Sequence, residues 1–148
     1  MEFLTPEELI DIFEDLLEWE ERYRFIIELG KDLPPIAEKD KTAETKLNGC
    51  QSNVWLKRIK DTSSADDRVD KFDFVADSDS QIVKGLVALV RLIYLNKTPQ
   101  EILDFDINGL FDKIQLTQHL TPNRSNGIQY LINRIKNWAK EDVLLHKM

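Results

Sequence analysis

Midway along this chain the hydrophobic period switches from helical to two, and then back. From Asn53 to Lys60 and from Val69 to Ala76 the residues alternate and favour β-branched and aromatic types, as strands with one buried face require. Phe72, Phe74 and Ala76 share one face of the second segment. The polar run DTSSADDR, residues 61–68, suits the loop of a hairpin between them. A short piece around Thr45 to Leu47 is placed to add a third strand, with the segment around Cys50 as the turn joining it to the next.

Helical signals bracket this middle. Thr5-Pro6-Glu7-Glu8 has the spacing of a capping box, with Pro at the first helical position. The helix after it is expected to bury Leu9, Ile10, Phe13, Leu16 and Leu17. WEERYRFIIELG runs from Trp19 to a stop at Gly30, and Leu33-Pro34-Pro35 forbids continuation. Lys39 to Lys46 reads as a surface loop leading to the cysteine. After Ala76, the run Asp77-Ser78-Asp79-Ser80 offers several caps, and Ser78 with Gln81 has capping-box spacing. Ile82, Val83, Leu86, Leu89, Val90 and Ile93 then form a broad apolar face. Gly85 within it costs ~1 kcal/mol relative to Ala, so either something packs very close to it or the helix tolerates the loss. Thr98-Pro99-Gln100-Glu101 opens a short helix toward Leu103, and Asn108 to Gln115 carries another. Thr121 to Gly127 is turn-rich and precedes a long final helix whose core face is Ile128, Leu131, Ile132, Ile135 and Trp138. The expected fold class is α+β: one domain over residues 1–148, with a small antiparallel sheet of about three strands flanked by helices. Lys140 to Met148 is either an extension of the last helix or a disordered tail.

Charge and composition exclude several functions. The net charge is −7, and basic residues are interspersed with acids, so no cluster exists to bind nucleic acid phosphates. No apolar run approaches the ~18–20 residues of a membrane span. The acidic N-terminus does not read as a signal or transit peptide, and one cysteine cannot form an internal disulfide. A reducing, cytoplasmic location is expected. The pool of one Cys and two His cannot make a structural zinc site, and the glycine pattern of a nucleotide-binding loop is missing, so neither of these is expected.

Cys50 leads the candidates for chemistry. It sits in NGCQSNVWL, behind a turn signal and ahead of an apolar run. A thiolate is nucleophilic even when little of it is ionised, and a nearby cation or helix N-terminus lowers its pKa. Gly49 permits backbone angles that other residues resist. Against this, a lone cysteine is most often a small buried hydrophobe. His119 and Arg124 lie together in QHLTPNRSNG. Either they converge on Cys50 and favour its anion, or His119 is an ordinary loop histidine and Arg124 a surface ion-pair partner. Asp77 and Asp79 either orient a base or bind a partner, or simply cap the next helix.

The blocks WEERYRFIIELG, GCQSNVWL, ADSDSQIVKGLVAL, TPQEILDFD and LTQHLTPNRSNG stand in order from about Trp19 to Ala139. In these the chain resembles the SufE/CsdE family, the sulfur-acceptor partners of cysteine desulfurases. The resemblance implies a SufE/IscU-like fold and an acceptor cysteine at Cys50, which takes persulfide sulfur from a PLP-dependent desulfurase. It further implies relay of that sulfur to an iron–sulfur scaffold or another acceptor, with the PLP in the partner and no cofactor or metal expected here. It raises Arg124, His119 and Asp77 as site residues: Arg124 to stabilise the thiolate, His119 to move a proton or brace the loop, Asp77 to lie near the cysteine loop. Asn123 departs from the Ser that many members carry before the arginine. Two other readings differ in class: a stand-alone cysteine hydrolase using Cys50 and His119, and a module that only activates a desulfurase allosterically. A homodimer is compatible with all three.

Overall fold

The computed structural model describes residues 4–49, 52–60, 72–95 and 97–147. Cys50, the connection 61–68 and the first residues expected of the second strand, Val69 to Lys71, lie outside the described residues.

Two helices open the chain, α1 (Pro6–Asp15) and α2 (Trp19–Lys31). Thr5 caps α1 as its sequence predicts, its hydroxyl accepting from Glu8 N–H at 3.1 Å. The end of α1 is set from outside. Arg22 donates to the carbonyls of Phe13 and Leu16, both at 2.7 Å, while its guanidinium lies over the Phe13 and Trp19 rings. The helix therefore stops at Asp15, and Leu17, expected to be buried, is 80% exposed in the turn that follows.

The sheet is a hairpin pair, β1 (Val54–Lys60) against antiparallel β2 (Phe72–Ser78), in the register Leu56 opposite Ala76 and Arg58 opposite Phe74. Phe72, Phe74 and Ala76 are buried on one face, as their spacing requires. The expected third strand shrinks to a single bridge between Lys46 and Trp55, flanked by Leu47 N–H to Val54 carbonyl and Leu56 N–H to Thr45 carbonyl, each 2.8 Å. Upstream, the chain is already committed to a turn: Lys46 N–H donates to the Thr42 carbonyl at 3.0 Å and the Thr45 hydroxyl to the Asp40 carbonyl at 2.6 Å. Downstream, Asn48-Gly49 turns away with Gly49 at φ +91°.

The long apolar helix α3 (Gln81–Tyr94) is the centre of the molecule, buried at nearly every position from Gly85 to Tyr94. Its cap is Ser80, whose hydroxyl accepts from Val83 N–H at 3.4 Å, not Ser78, which ends β2 and accepts from Ser80 N–H at 3.2 Å. The strand continues two residues further than its alternation indicates, and the helix starts two residues later. Gly85 is explained by α2. A Cβ placed on it would lie 2.2 Å from the Ile26 carbonyl oxygen, and one on Gly30 would lie 2.9 Å from the Gly85 nitrogen. The two helices cross backbone against backbone at this glycine pair. Gly30 thus sits inside the last turn of α2 and serves packing, rather than lying past the helix end.

Short helices α4 (Pro99–Asp104) and α5 (Ile107–Lys113) lead to α6 (Pro122–Lys147). Thr98 and Glu101 form the full reciprocal capping box. Helix α6 closes the other side of α3 and of the sheet, where Trp138 meets the Phe72 and Phe74 rings. No described helix is long and apolar enough to cross a membrane.

Candidate functional site

The stretch from Thr121 to Gly127, rich in turn-forming residues, is not a turn. It forms the first turns of α6. Pro122 takes the opening position and Thr121 caps it, accepting from Arg124 N–H at 3.3 Å through its hydroxyl and from Ser125 N–H at 3.0 Å through its carbonyl. Thr-Pro is the same start signal that opens α1 and α4; the Asn, Ser and Gly that follow mask it. This early start is what carries Arg124 to the site.

The N-terminal turns of α6, the first half of α3 and the start of β1 border a partly open cavity of about 220 Å³. Val54, Leu86 and Leu131 supply its apolar wall, and Arg124 with Asn123 and Thr121 its polar side. Leu47 and Ser52 also line it. These two flank Cys50 in sequence by three residues and by two, so the cavity receives both ends of the cysteine segment. A thiol delivered there would meet a guanidinium and a helix N-terminus, both of which favour its anion.

Each end of the segment is held. On the exit side, Asp79 accepts from Asn53 N–H at 3.1 Å and Asn53 Nδ2 at 2.9 Å, and the Asp79 N–H donates to the Asn53 carbonyl at 3.4 Å. Asp79 therefore fastens the start of β1 instead of capping α3. On the entry side, Gly49 lies against the Tyr130 ring of α6. Neither pairing is readable from sequence: Asn53 and Asp79 are 26 residues apart, and Tyr130 falls outside the apolar face of its helix.

Asp77 and His119 are not among the described residues lining the cavity. Asp77 stands opposite Trp55 on the sheet and bonds Lys41 at 2.8 Å, with Lys84 at 3.7 Å. Lys41 also meets Glu38 at 2.8 Å and lies over the Trp55 ring. Partial burial pushes the Asp77 carboxyl up, but the Lys41 hydrogen bond, the Ser78 N–H and the charges of Lys41 and Lys84 outweigh it and hold the pKa below the usual value. A depressed folded pKa contributes stability that is fully present above the unfolded value, about 3.9, and is lost as pH falls through the folded one. Asp77→Asn should thus lower the melting temperature by a constant amount near neutrality. The gap from wild type should shrink below about pH 4, and a gap that persists unchanged into strong acid would remove the ion pair as its cause. The His119 imidazole stacks on Trp19 with centroids 3.7 Å apart, and its backbone carbonyl accepts from the Tyr23 hydroxyl. Its visible work is to brace the turn before α6 onto α2.

Among the described residues, no group of three or more His, Cys, Asp or Glu is placed to hold a metal ion. A family model described as "SufE: Fe-S metabolism associated domain" matches residues 7–139. Among solved structures, the solution structure of a hypothetical protein from Thermus thermophilus is similar in fold. Its TM-score is 0.71 at 17% sequence identity, covering 94% of this chain and 96% of that one.

Proposed function

The chain belongs to the SufE family, whose domain is associated with iron–sulfur metabolism, and from that premise we propose that it is a sulfur acceptor for a PLP-dependent cysteine desulfurase. What supports this reading is a single cavity that joins Leu47 and Ser52, on either side of the only cysteine, to Arg124 at the head of α6.

The transfer needs no oxidant. The Cys50 thiolate attacks the terminal sulfur of a persulfide on the desulfurase. A bond forms between Cys50 Sγ and that sulfur, the donor's S–S bond breaks, and its electron pair leaves on the donor cysteine as a thiolate. The proton on the terminal sulfur stays with it, so Cys50 ends as a persulfide. Arg124 holds the attacking anion, and the apolar wall keeps water and reductants from the product. A chain with one cysteine also has no neighbouring thiol to discharge it. PLP serves the partner, and this chain carries no cofactor of its own. The sulfur then passes to a cluster scaffold or another acceptor.

A stand-alone cysteine hydrolase needs an imidazole within hydrogen-bond reach of the thiol. The described lining of the cavity offers none, and His119 is stacked on Trp19.

The test is to mix the protein with a cysteine desulfurase, PLP and free cysteine, then weigh it intact without reductant. A gain of one sulfur atom supports the carrier; an unchanged mass rejects it. Arg124→Ala should slow loading about threefold or more, because the attacking thiolate loses the cation that stabilises it. Its melting temperature should stay near wild type, and equal loading rates would strip Arg124 of the assigned role.

A further inference from the structure

We propose that Asp73 and Asp77 are edge guards, whose carboxylates close the outer side of β2 to pairing with a strand of another molecule, a second copy of this chain above all. Strand geometry sets which groups face outward. On β1, Leu56 N–H donates to the Thr45 carbonyl and the Val54 carbonyl accepts from Leu47 N–H, on the side away from β2. Leu56 stands opposite Ala76, Arg58 opposite Phe74 and Val54 opposite Ser78. In an antiparallel ladder such pairs alternate with hydrogen-bonded ones. Phe74, Ala76 and Ser78 therefore direct their N–H groups to the outer edge of β2. Ala76 does so visibly, donating to the Pro34 carbonyl at 3.1 Å. The Pro34-Pro35 segment that supplies this acceptor has no N–H to give in return. On either side the strand serves itself: Phe74 N–H donates to Asp73 Oδ1 at 2.7 Å, and Ser78 N–H to Asp77 Oδ1 at 2.8 Å.

A strand edge with unpaired N–H groups is a template for another strand. Here three consecutive outward N–H groups are already taken. Cations fix both carboxylates in place. Arg91 of α3 grips Asp73 through Nε at 2.8 Å and Nη2 at 3.1 Å, and Lys41 holds Asp77 at 2.8 Å. An incoming strand would have to break a charge-assisted bond at Phe74 and again at Ser78 before making its own. Aspartate is a poor strand former, yet it stands at both 73 and 77, on the face opposite Phe74 and Ala76. Guarding the edge gives these two acids a role there.

The experiment is amide hydrogen exchange, with sedimentation of the same variants. Asp73→Ala should speed exchange at Phe74 about tenfold or more and leave Ser78 at its wild-type rate, and Asp77→Ala should do the reverse, since each carboxylate serves one N–H. A general loosening of the fold would instead speed both amides in both variants. With both acids replaced by Ala, the weight-average mass at high protein concentration should rise about twofold or more, the least that pairing of two edges produces. Asn at both positions should keep the wild-type mass, because its amide oxygen still accepts the neighbouring N–H although the ion pairs are lost. Should the double Ala variant not fold, the two single variants are sedimented in its place. Exchange that rises equally at both amides, Ala variants that stay at the wild-type mass, or an Asn variant that associates as the Ala one does would each overturn the proposal. These readouts involve no sulfur chemistry and stand apart from the carrier reading.

Discussion

Cys50→Ser is expected to abolish sulfur loading completely while changing the melting temperature by only about 1–2 °C, since a single heavy atom is exchanged for a smaller one. A serine hydroxyl stays protonated near neutrality and cannot form the S–S bond that holds the cargo. No second cysteine exists to take its place, so the residual signal should be zero rather than merely reduced. Desulfurase turnover should lose its stimulation in parallel. Turnover that the serine variant stimulates as well as wild type does would favour the purely allosteric module. Sulfide relayed onward at the normal pace without the thiol would remove the carrier from consideration.

Gly85→Ala should be the most damaging single-carbon change outside the site. The added carbon would sit 2.2 Å from the Ile26 carbonyl oxygen and 2.7 Å from its carbon. Both belong to the backbone of α2, so no rotamer change relieves the collision, and α2 and α3 must move apart. Alanine gains ~1 kcal/mol in helix propensity, but overpacking against a rigid backbone costs up to ~3 kcal/mol or more. The net loss should be about 2 kcal/mol or more, a fall in melting temperature of ~4–8 °C. A variant as stable as wild type would mean that the helices separate freely.

Local chemistry made most of the elements legible. The Thr5-Pro6 and Thr98-Pro99 starts, the two-residue period through Phe72, Phe74 and Ala76, and the broad face of α3 all depend on neighbours within a few residues, and each element formed where those signals stand. Local signals are overridden where they meet a distant partner. Leu17 follows the stripe of α1 but is exposed, because Arg22 ends the helix first. Ser78 has the spacing of a cap but remains in the ladder opposite Val54. Asn123 to Gly127 have the composition of a loop but are wound into α6 behind Thr121-Pro122. The site shows the same division. The motif points to Cys50 and Arg124, and the cavity joins Arg124 to the cysteine's flanks. The contacts that hold those flanks, Asp79 on Asn53 and Tyr130 on Gly49, exist only once the chain has folded.

Helix α6 is also staked to the sheet near its far end, where buried Asp142 pairs with Arg58 of β1. That stake lies about 27 Å along the helix axis from Arg124, at 1.5 Å per residue. The helix that presents the cation and the strand that leaves the cysteine segment therefore share an axial lock. Neither can slip lengthwise past the other without parting two charges shielded from water, a costly separation. Arg124 and the root of the cysteine segment thus form one preset frame, with their spacing fixed by a contact five turns further along the helix.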